Sequence, residues 1–171
     1  GTSSPRRKAQ VFALRRDLEL VPLRGNVDTR LAKLDSGEVD AVLLAAAGLA
    51  RLGLRRPDAS PLDPSEMLPA VGQGALGLQV RVSDGALRAL IRRIEDPCAR
   101  LAVDAERAFL RLVGGDCYTP LAALATADPG TGTVSLEAGL WSPDGARGGR
   151  ARAQGFPQDA ARDAFSRMSV R

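Results

Sequence analysis

Val39-Asp40-Ala41-Val42-Leu43-Leu44-Ala45 is an almost unbroken apolar run, followed at once by Ala47-Gly48-Leu49-Ala50-Arg51-Leu52-Gly53. A short run of this kind reads as a strand covered on both faces, the way parallel strands sit inside an α/β layer. The segment after it reads as a short helix over 48–52, closed by Gly53. The same alternation stands upstream. Residues 18–23 read as a strand, Arg24-Gly25-Asn26 as a turn, and Asp28 can cap a short helix through Leu34 that Gly37 ends. Strand, helix, strand, helix in this rhythm predicts a parallel α/β layer.

Working outward, Ser4 is a good N-cap and Pro5 suits the first helical position of a helix running toward Leu14. Pro57, Pro61, Pro64 and Pro69 make 55–69 a loop, and Gly72 and Gly74 lend the next stretch flexibility. Residues 76–82 alternate as a strand, 86–94 form a helix, and Asp96-Pro97 breaks the pattern. Residues 99–112 then form a strongly amphipathic helix, with Leu101, Ala105, Ala108, Phe109 and Leu112 on one face. Three strands are expected at 121–127, 133–141 and 150–156, joined at Asp128-Pro129-Gly130 and Ser142-Pro143-Asp144-Gly145, with a closing helix over 158–168. Helix, three antiparallel strands, helix is a small α+β module.

Composition bounds the chemistry. The chain has 171 residues, 44% hydrophobic and 26% charged, enough for one or two globular domains. Its net charge of +4 suits an anionic partner. Of 24 basic residues all but Lys8 and Lys33 are arginines, whose planar fork grips carboxylates and phosphates. Aromatics are only 4%, too few for the stacking platforms of a single-stranded nucleic-acid binder, so no nucleic-acid partner is expected. The absence of histidine removes histidine bases and histidine metal sites, and Cys98 with Cys117 cannot build a zinc site, so no metal is expected. No apolar run is long enough to cross a membrane, and a cytoplasmic location is expected.

Two places carry chemistry. The first is the start of the Ser4 helix, where free N–H groups and the macrodipole favour an anion, Thr2, Ser3 and Ser4 add hydroxyls, and Arg6 and Arg7 add charge. Arg24 follows a predicted strand, Arg30 sits in the first turn of a helix, and Arg51 follows a strand plus a short loop, so they would crowd to the same rim, outside the strand carboxyl ends. The second is Val113-Gly114-Gly115-Asp116-Cys117-Tyr118-Thr119-Pro120, a glycine-flanked loop that can project a thiol. Plainer alternatives stand beside both: a capped surface helix with solvated arginines, and an inert buried cysteine, the reading preferred for Cys98. Asp116 would also raise the neighbouring thiol pKa by like-charge repulsion.

Several long stretches occur together and in order: Gly1-Thr2-Ser3-Ser4-Pro5-Arg6-Arg7, Leu23-Arg24-Gly25-Asn26-Val27-Asp28-Thr29-Arg30-Leu31, Leu34-Asp35-Ser36-Gly37-Glu38, Pro69-Ala70-Val71-Gly72-Gln73-Gly74-Ala75 and Ala105-Glu106-Arg107-Ala108-Phe109. Together with the 39–53 segment they resemble the porphobilinogen deaminase (hydroxymethylbilane synthase) family over nearly the whole chain, most closely over 1–124. The resemblance implies head-to-tail condensation of four porphobilinogen molecules with release of ammonia, in tetrapyrrole and haem biosynthesis, by a transferase. It implies a dipyrromethane cofactor bound covalently through a thioether to Cys117, with Ser4, Arg6, Arg7 and Arg30 holding carboxylates of cofactor and growing chain. Arg24 and Arg51 match arginines that serve the incoming substrate, and Thr2 and Gln73 line the same cleft.

By the same resemblance the fold is α/β, partly periplasmic-binding-protein-like, followed by the small α+β domain with its three-stranded antiparallel sheet. Residues 1–68 would be the second half of domain 2, 69–96 the hinge and a returning segment of domain 1, and 97–171 the cofactor-cysteine domain 3. The family's catalytic aspartate falls outside this chain, so the polypeptide alone is expected to be inactive and to need the amino-terminal portion, which could be a separate chain. Two departures stand out: Pro5 where leucine is usual, and Gly114-Gly115-Asp116-Cys117 where Glu-Gly-Gly-Cys is usual. The competing reading is a non-catalytic anion-binding α/β module, which explains the arginines but gives Cys117 no task.

Overall fold

The computed structural model describes residues 1–116 and 118–168. Its elements run α1 (Pro5–Leu14), α2 (Val27–Asp35), α3 (Ala46–Arg51), α4 (Gly85–Arg92), α5 (Pro97–Val113), β1 (Leu121–Asp128), β2 (Thr133–Trp141), β3 (Gly148–Gly155) and α6 (Pro157–Met168). The three strands make one antiparallel sheet in the order β1-β2-β3, with Leu121 opposite Leu140 and Val134 opposite Gly155.

The carboxyl-terminal half matches the sequence pattern closely. Alternate strand residues Ala123, Leu136 and Ala153 point to one face, where they meet Ala105, Ala108 and Phe109 of α5 and Ala160, Ala161 and Ala164 of α6. Small side chains let both helices lie close on the sheet, and Phe109, fully buried, fills the space between them. The opposite face is also covered. Ala122 and Trp141 pack there against Ala9 of α1 and Leu68. The sheet therefore lies between the α5/α6 pair and α1, and this sandwich fixes where the α1 arginines stand.

Two glycines permit that arrangement. The Trp141 indole lies across Gly139, where a Cβ would come within 2.2 Å of the ring. Gly145, at φ +64, carries the β2–β3 turn so close to α1 that a Cβ would sit 2.5 Å from the Ala9 carbonyl oxygen.

The amino-terminal half departs from expectation. Residues 18–23, 39–45 and 76–82 form no strand ladder among the described residues. The reason lies in partners. The first two segments bracket Gly1 and Thr2: Thr2 N–H donates to Val21 O at 3.0 Å, the Gly1 ammonium to Ala41 O at 2.7 Å, and Leu43 N–H to Gly1 O at 3.2 Å. Those two residues supply the parallel-type contact but are too short to build a ladder. Residues 76–82 leave Leu76, Leu78 and Val82 exposed, and α4 behind them exposes Leu90.

Smaller corrections concern helix ends. The cap of α2 is Asn26 rather than Asp28: the Asn26 Oδ1 accepts the Thr29 N–H at 2.8 Å, and Asp28 falls in the first turn. This moves Arg30 one turn into the helix. Asp96-Pro97 does not interrupt structure; Asp96 caps α5 by accepting from Cys98 N–H and Ala99 N–H, with Pro97 at the first position. Leu112, expected on the buried face, lies in the last turn of α5 and is 40% exposed.

Candidate anion-binding site

The start of α1 is built as its sequence predicts. Ser4 is extended at φ −85 and ψ 117, its Oγ accepts the Arg7 N–H at 3.4 Å, and Pro5 opens the helix. Thr2 is buried and its Oγ1 accepts the Ser4 N–H at 3.3 Å, while the Ser3 Oγ donates to Leu23 O at 2.9 Å. The three hydroxyls therefore first serve to anchor the helix start.

Arg6 and Arg7 leave α1 in different directions. Arg6 is 8% exposed; its Nη1 donates to Leu68 O and its Nη2 to the Gln73 Oε1 at 3.4 Å. Arg7 is half-buried and its Nη1 donates to Leu43 O at 2.9 Å. Neither has a carboxylate partner among the described residues, whereas Arg56, Arg100, Arg152 and Arg167 all form ion pairs. Burial, and then the neighbouring Arg7 charge, pull the Arg6 pKa down to about 10. Burial and then Arg30 likewise lower that of Arg7. These are two partly desolvated cations without an ion-pair partner among the described residues.

Arg6, Arg7 and Gln73 face a cavity of about 680 Å³, whose walls include Leu31, Leu34, Leu44 and Met67. Asp40 and Asp58 also reach it, but Asp58 is taken by Arg56 at 2.8 Å. Arg30 acts on Arg7 through its charge, and its Nε donates to Gly25 O at 2.9 Å. Of the residues picked out from sequence, the structure thus gathers Arg6, Arg7 and Gln73 on one cavity, with Ser4 capping the same helix. Arg24 and Arg51 are exposed, do not line that cavity, and their side chains make no hydrogen bond or ion pair among the described residues.

Cys117, the expected cofactor attachment point, lies outside the described residues. The chain on either side of it is well defined by bonds. Gly114, at φ +68, ends α5 in the left-handed region. The Asp116 Oδ1 then accepts from Tyr118 N–H at 2.9 Å and from Thr119 N–H and Oγ1, both at 3.0 Å. Those bonds, that of Tyr118 first, hold the Asp116 carboxyl below its usual range, so it is ionised at neutral pH.

Sequence reasoning assigned no role to two residues that organise this region. Glu106 is buried on the sheet-facing side of α5, where its two carboxylate oxygens accept the Gly72 N–H at 2.6 Å and the Ala125 N–H at 2.9 Å. Burial raises its pKa, against the lowering effect of both bonds. Its signal was a charge adjoining the apolar stripe of α5. Gln10, four residues after Arg6 on the same helix face, brackets the Leu68 peptide: its Oε1 accepts Leu68 N–H at 2.9 Å and its Nε2 donates to Leu68 O at 3.1 Å. Residues 68–73 are thereby held by α1, α5 and β1 together, β1 contributing Ala123 N–H to Pro69 O at 3.2 Å.

Comparison with known proteins finds two matching family models. Residues 1–89 match the family described as "Porphobilinogen deaminase, dipyromethane cofactor binding domain", and residues 100–165 match "Porphobilinogen deaminase, C-terminal domain". Curated relatives include a porphobilinogen deaminase of Thermus thermophilus, 51% identical over 160 residues that cover 94% of this chain and 53% of the relative. One of Roseiflexus castenholzii is 54% identical over 125 residues, 73% of this chain and 41% of the relative. One of Chromobacterium violaceum is 50% identical over 168 residues, 98% of this chain and 53% of the relative. The chain thus spans about half the length of the curated relatives it matches.

Proposed function

Because this chain belongs to the porphobilinogen deaminase family, we propose that it supplies the primer-holding part of a hydroxymethylbilane synthase, which joins four porphobilinogen units head to tail with loss of ammonia. The observation that carries this reading is the pair of desolvated, carboxylate-free guanidiniums of Arg6 and Arg7 on one cavity. A dipyrromethane brings several carboxylates, and these two cations offer the charge to meet them; donor set and ligand fit.

In this reading Ser4, Arg6, Arg7 and Arg30 hold carboxylates of the cofactor, which Cys117 anchors through a thioether. The cofactor supplies a pyrrole α-carbon as the nucleophile. The Arg7 guanidinium uses one bond to Leu43 O and keeps its remaining donors for a ligand. Arg6 is spent largely on Leu68 O and Gln73, so it acts by charge and by fixing Gln73. Arg24 and Arg51, exposed and without an ion pair among the described residues, would meet the carboxylates of incoming porphobilinogen, with Thr2 and Gln73 shaping the cleft. Arginine keeps its charge as the product lengthens, so negative charge accumulates against cations that do not titrate. Positioning and electrostatic stabilisation are then this chain's share of the catalysis.

No residue here is assigned the proton transfer, which we place on an aspartate of the amino-terminal portion. By the same reading 1–68 is the later half of a periplasmic-binding-protein-like domain 2, 69–96 the hinge and a returning piece of domain 1, and 97–171 domain 3. The exposed Leu76, Leu78 and Val82 would be covered by the rest of domain 1. We place the protein in the cytoplasm; no helix among the described residues is long and apolar enough to cross a membrane.

The test is turnover. The chain, co-produced with the amino-terminal portion of a curated relative, should consume porphobilinogen and release one ammonia per unit consumed. Cys117→Ser should abolish this. Equal turnover by Cys117→Ser would refute the assignment of the anchor.

A further inference from the structure

We infer that Arg150 is a positioning residue whose guanidinium pins the sheet module onto the α1 layer, and so sets where Arg6, Arg7 and Gln73 stand relative to the α5–β1 loop. The functional half of this statement rests on the reading proposed above; the structural half does not.

Arg150 projects from β3, where it pairs with Gly139 of β2. Its Nη1 donates to Ser65 O at 2.6 Å and Pro64 O at 3.3 Å, and its Nη2 to Glu66 O at 2.7 Å. Those carbonyls belong to one helical turn, closed by Glu66 N–H and Met67 N–H on Asp63 O, that goes no further. Carbonyls at such an end have no partner in their own turn. A planar fork can meet three of them at once; an ammonium on a flexible stem cannot hold the same set. The guanidinium is braced in turn. Its carbon stands 5.9 Å from the Trp141 ring centroid, and the Glu137 Oε1 lies 3.5 Å from its Nη1.

The contact continues inward. The Arg150 Nη2 also donates to the Gln10 Oε1 at 3.3 Å. Gln10, 1% exposed, brackets the Leu68 peptide, and the Leu68 carbonyl also accepts from Arg6, whose other nitrogen reaches Gln73. A line of bonds therefore runs from Arg150 through Gln10, Leu68 and Arg6 to Gln73. Among the described residues no buried side-chain polar atom is left unbonded, so the network is satisfied as it stands. Losing the fork leaves Gln10 and the 63–67 turn to rearrange together, and Arg6 moves with them.

The experiment is amide hydrogen exchange on the 171-residue chain and its Arg150→Met and Arg150→Lys variants. Both variants keep a stem over Trp141, and the lysine keeps the charge beside Glu137, which guards against a variant that merely fails to fold. The expected result is Leu68 N–H and Ala123 N–H exchanging about ten-fold faster or more in both variants, with the β2 amides unchanged. Leu68 exchanging as in the unaltered chain, or β2 amides accelerating in step with it, overturns the inference. Citrate serves as a probe of the arginine face, followed through the Arg6 and Arg7 amide shifts. It should bind about five-fold more weakly in Arg150→Met, and unchanged citrate affinity would remove the link to Arg6. Exchange and citrate binding need no primer. A chain that never carries dipyrromethane would therefore fail the functional reading above, while both measurements still decide the role of Arg150.

Discussion

Replacing Glu106 by glutamine should destabilise the chain, and the structure says by how much and with what pH dependence. The carboxylate, 6% exposed, accepts two backbone N–H groups, from Gly72 and Ala125. Glutamine has one oxygen. Whichever way its amide turns, its NH2 end faces an N–H, leaving a buried donor without an acceptor at a cost of about 1–3 kcal/mol. An opposing effect is relief of the desolvation that raises the Glu106 pKa. The net expectation at neutral pH is a loss of about 1–2 kcal/mol for Glu106→Gln, and about 3–4 kcal/mol for Glu106→Ala, which frees both donors and leaves a void. The folded carboxyl binds its proton more tightly than the unfolded one. Its contribution is therefore fully present below the unfolded pKa, near 4.5, and is lost as pH rises through the higher folded value. The gap between the unaltered chain and Glu106→Gln should widen on acidification toward that value. Urea unfolding at neutral pH and at two lower pH values reads both quantities. A glutamine variant as stable as the parent at neutral pH, with a gap that ignores pH, would refute the role given to this carboxylate.

Other perturbations follow from the same contacts. Phe109→Ala empties the fully buried centre between α5 and α6 and should cost about 3–5 kcal/mol in urea unfolding. Gly145→Ala meets both a left-handed φ of +64 and the Ala9 carbonyl oxygen. It should lower stability by about 1–3 kcal/mol and loosen α1 from the sheet, seen as faster exchange at the Leu68 amide. Arg6 carries its charge at a cost below its folded pKa of about 10, and that cost fades as pH rises above that value. A polycarboxylate such as citrate supplies the missing counter-charge, so it should raise Tm at neutral pH, by about 2.7 kcal/mol of added stability at a hundred times Kd. Arg6→Gln with Arg7→Gln should abolish the rise in a thermal melt.

The sequence made the carboxyl-terminal half legible because its elements complete one another. The alternation through Leu136 and Ala138, the Ser142–Gly145 turn and the α5 stripe all describe surfaces that meet inside the chain. The start of α1 was legible for a local reason, the cap by Ser4 and the fixed φ of Pro5. Strand pattern at 18–23 and 39–45 was equally clear, yet it yields extended chain held by isolated bonds to Gly1, Thr2, Ser3 and Arg7, since apolar periodicity reports a face and not a partner. At Asp96-Pro97 a breaker signal was really a start signal, the two being distinguishable only by the helix that follows. In the site, Arg6 and Arg7 were found by residue type and Gln73 by the family resemblance, and the three share a cavity. Arg150 and Glu106 escaped notice because much of their bonding is to backbone groups up to 86 residues away, and backbone groups leave no trace in residue identity.

The central claim is that the carboxylate-free α1 guanidiniums hold a pyrrolic primer anchored on Cys117. Intact mass of the chain co-produced with a relative's amino-terminal portion, with fragment spectra to locate any addition, measures this directly. The account predicts a dipyrromethane increment confined to Cys117, retained by the parent and depleted when Arg6 and Arg7 are both replaced by glutamine. An unmodified Cys117, or an increment indifferent to both arginines, would contradict it.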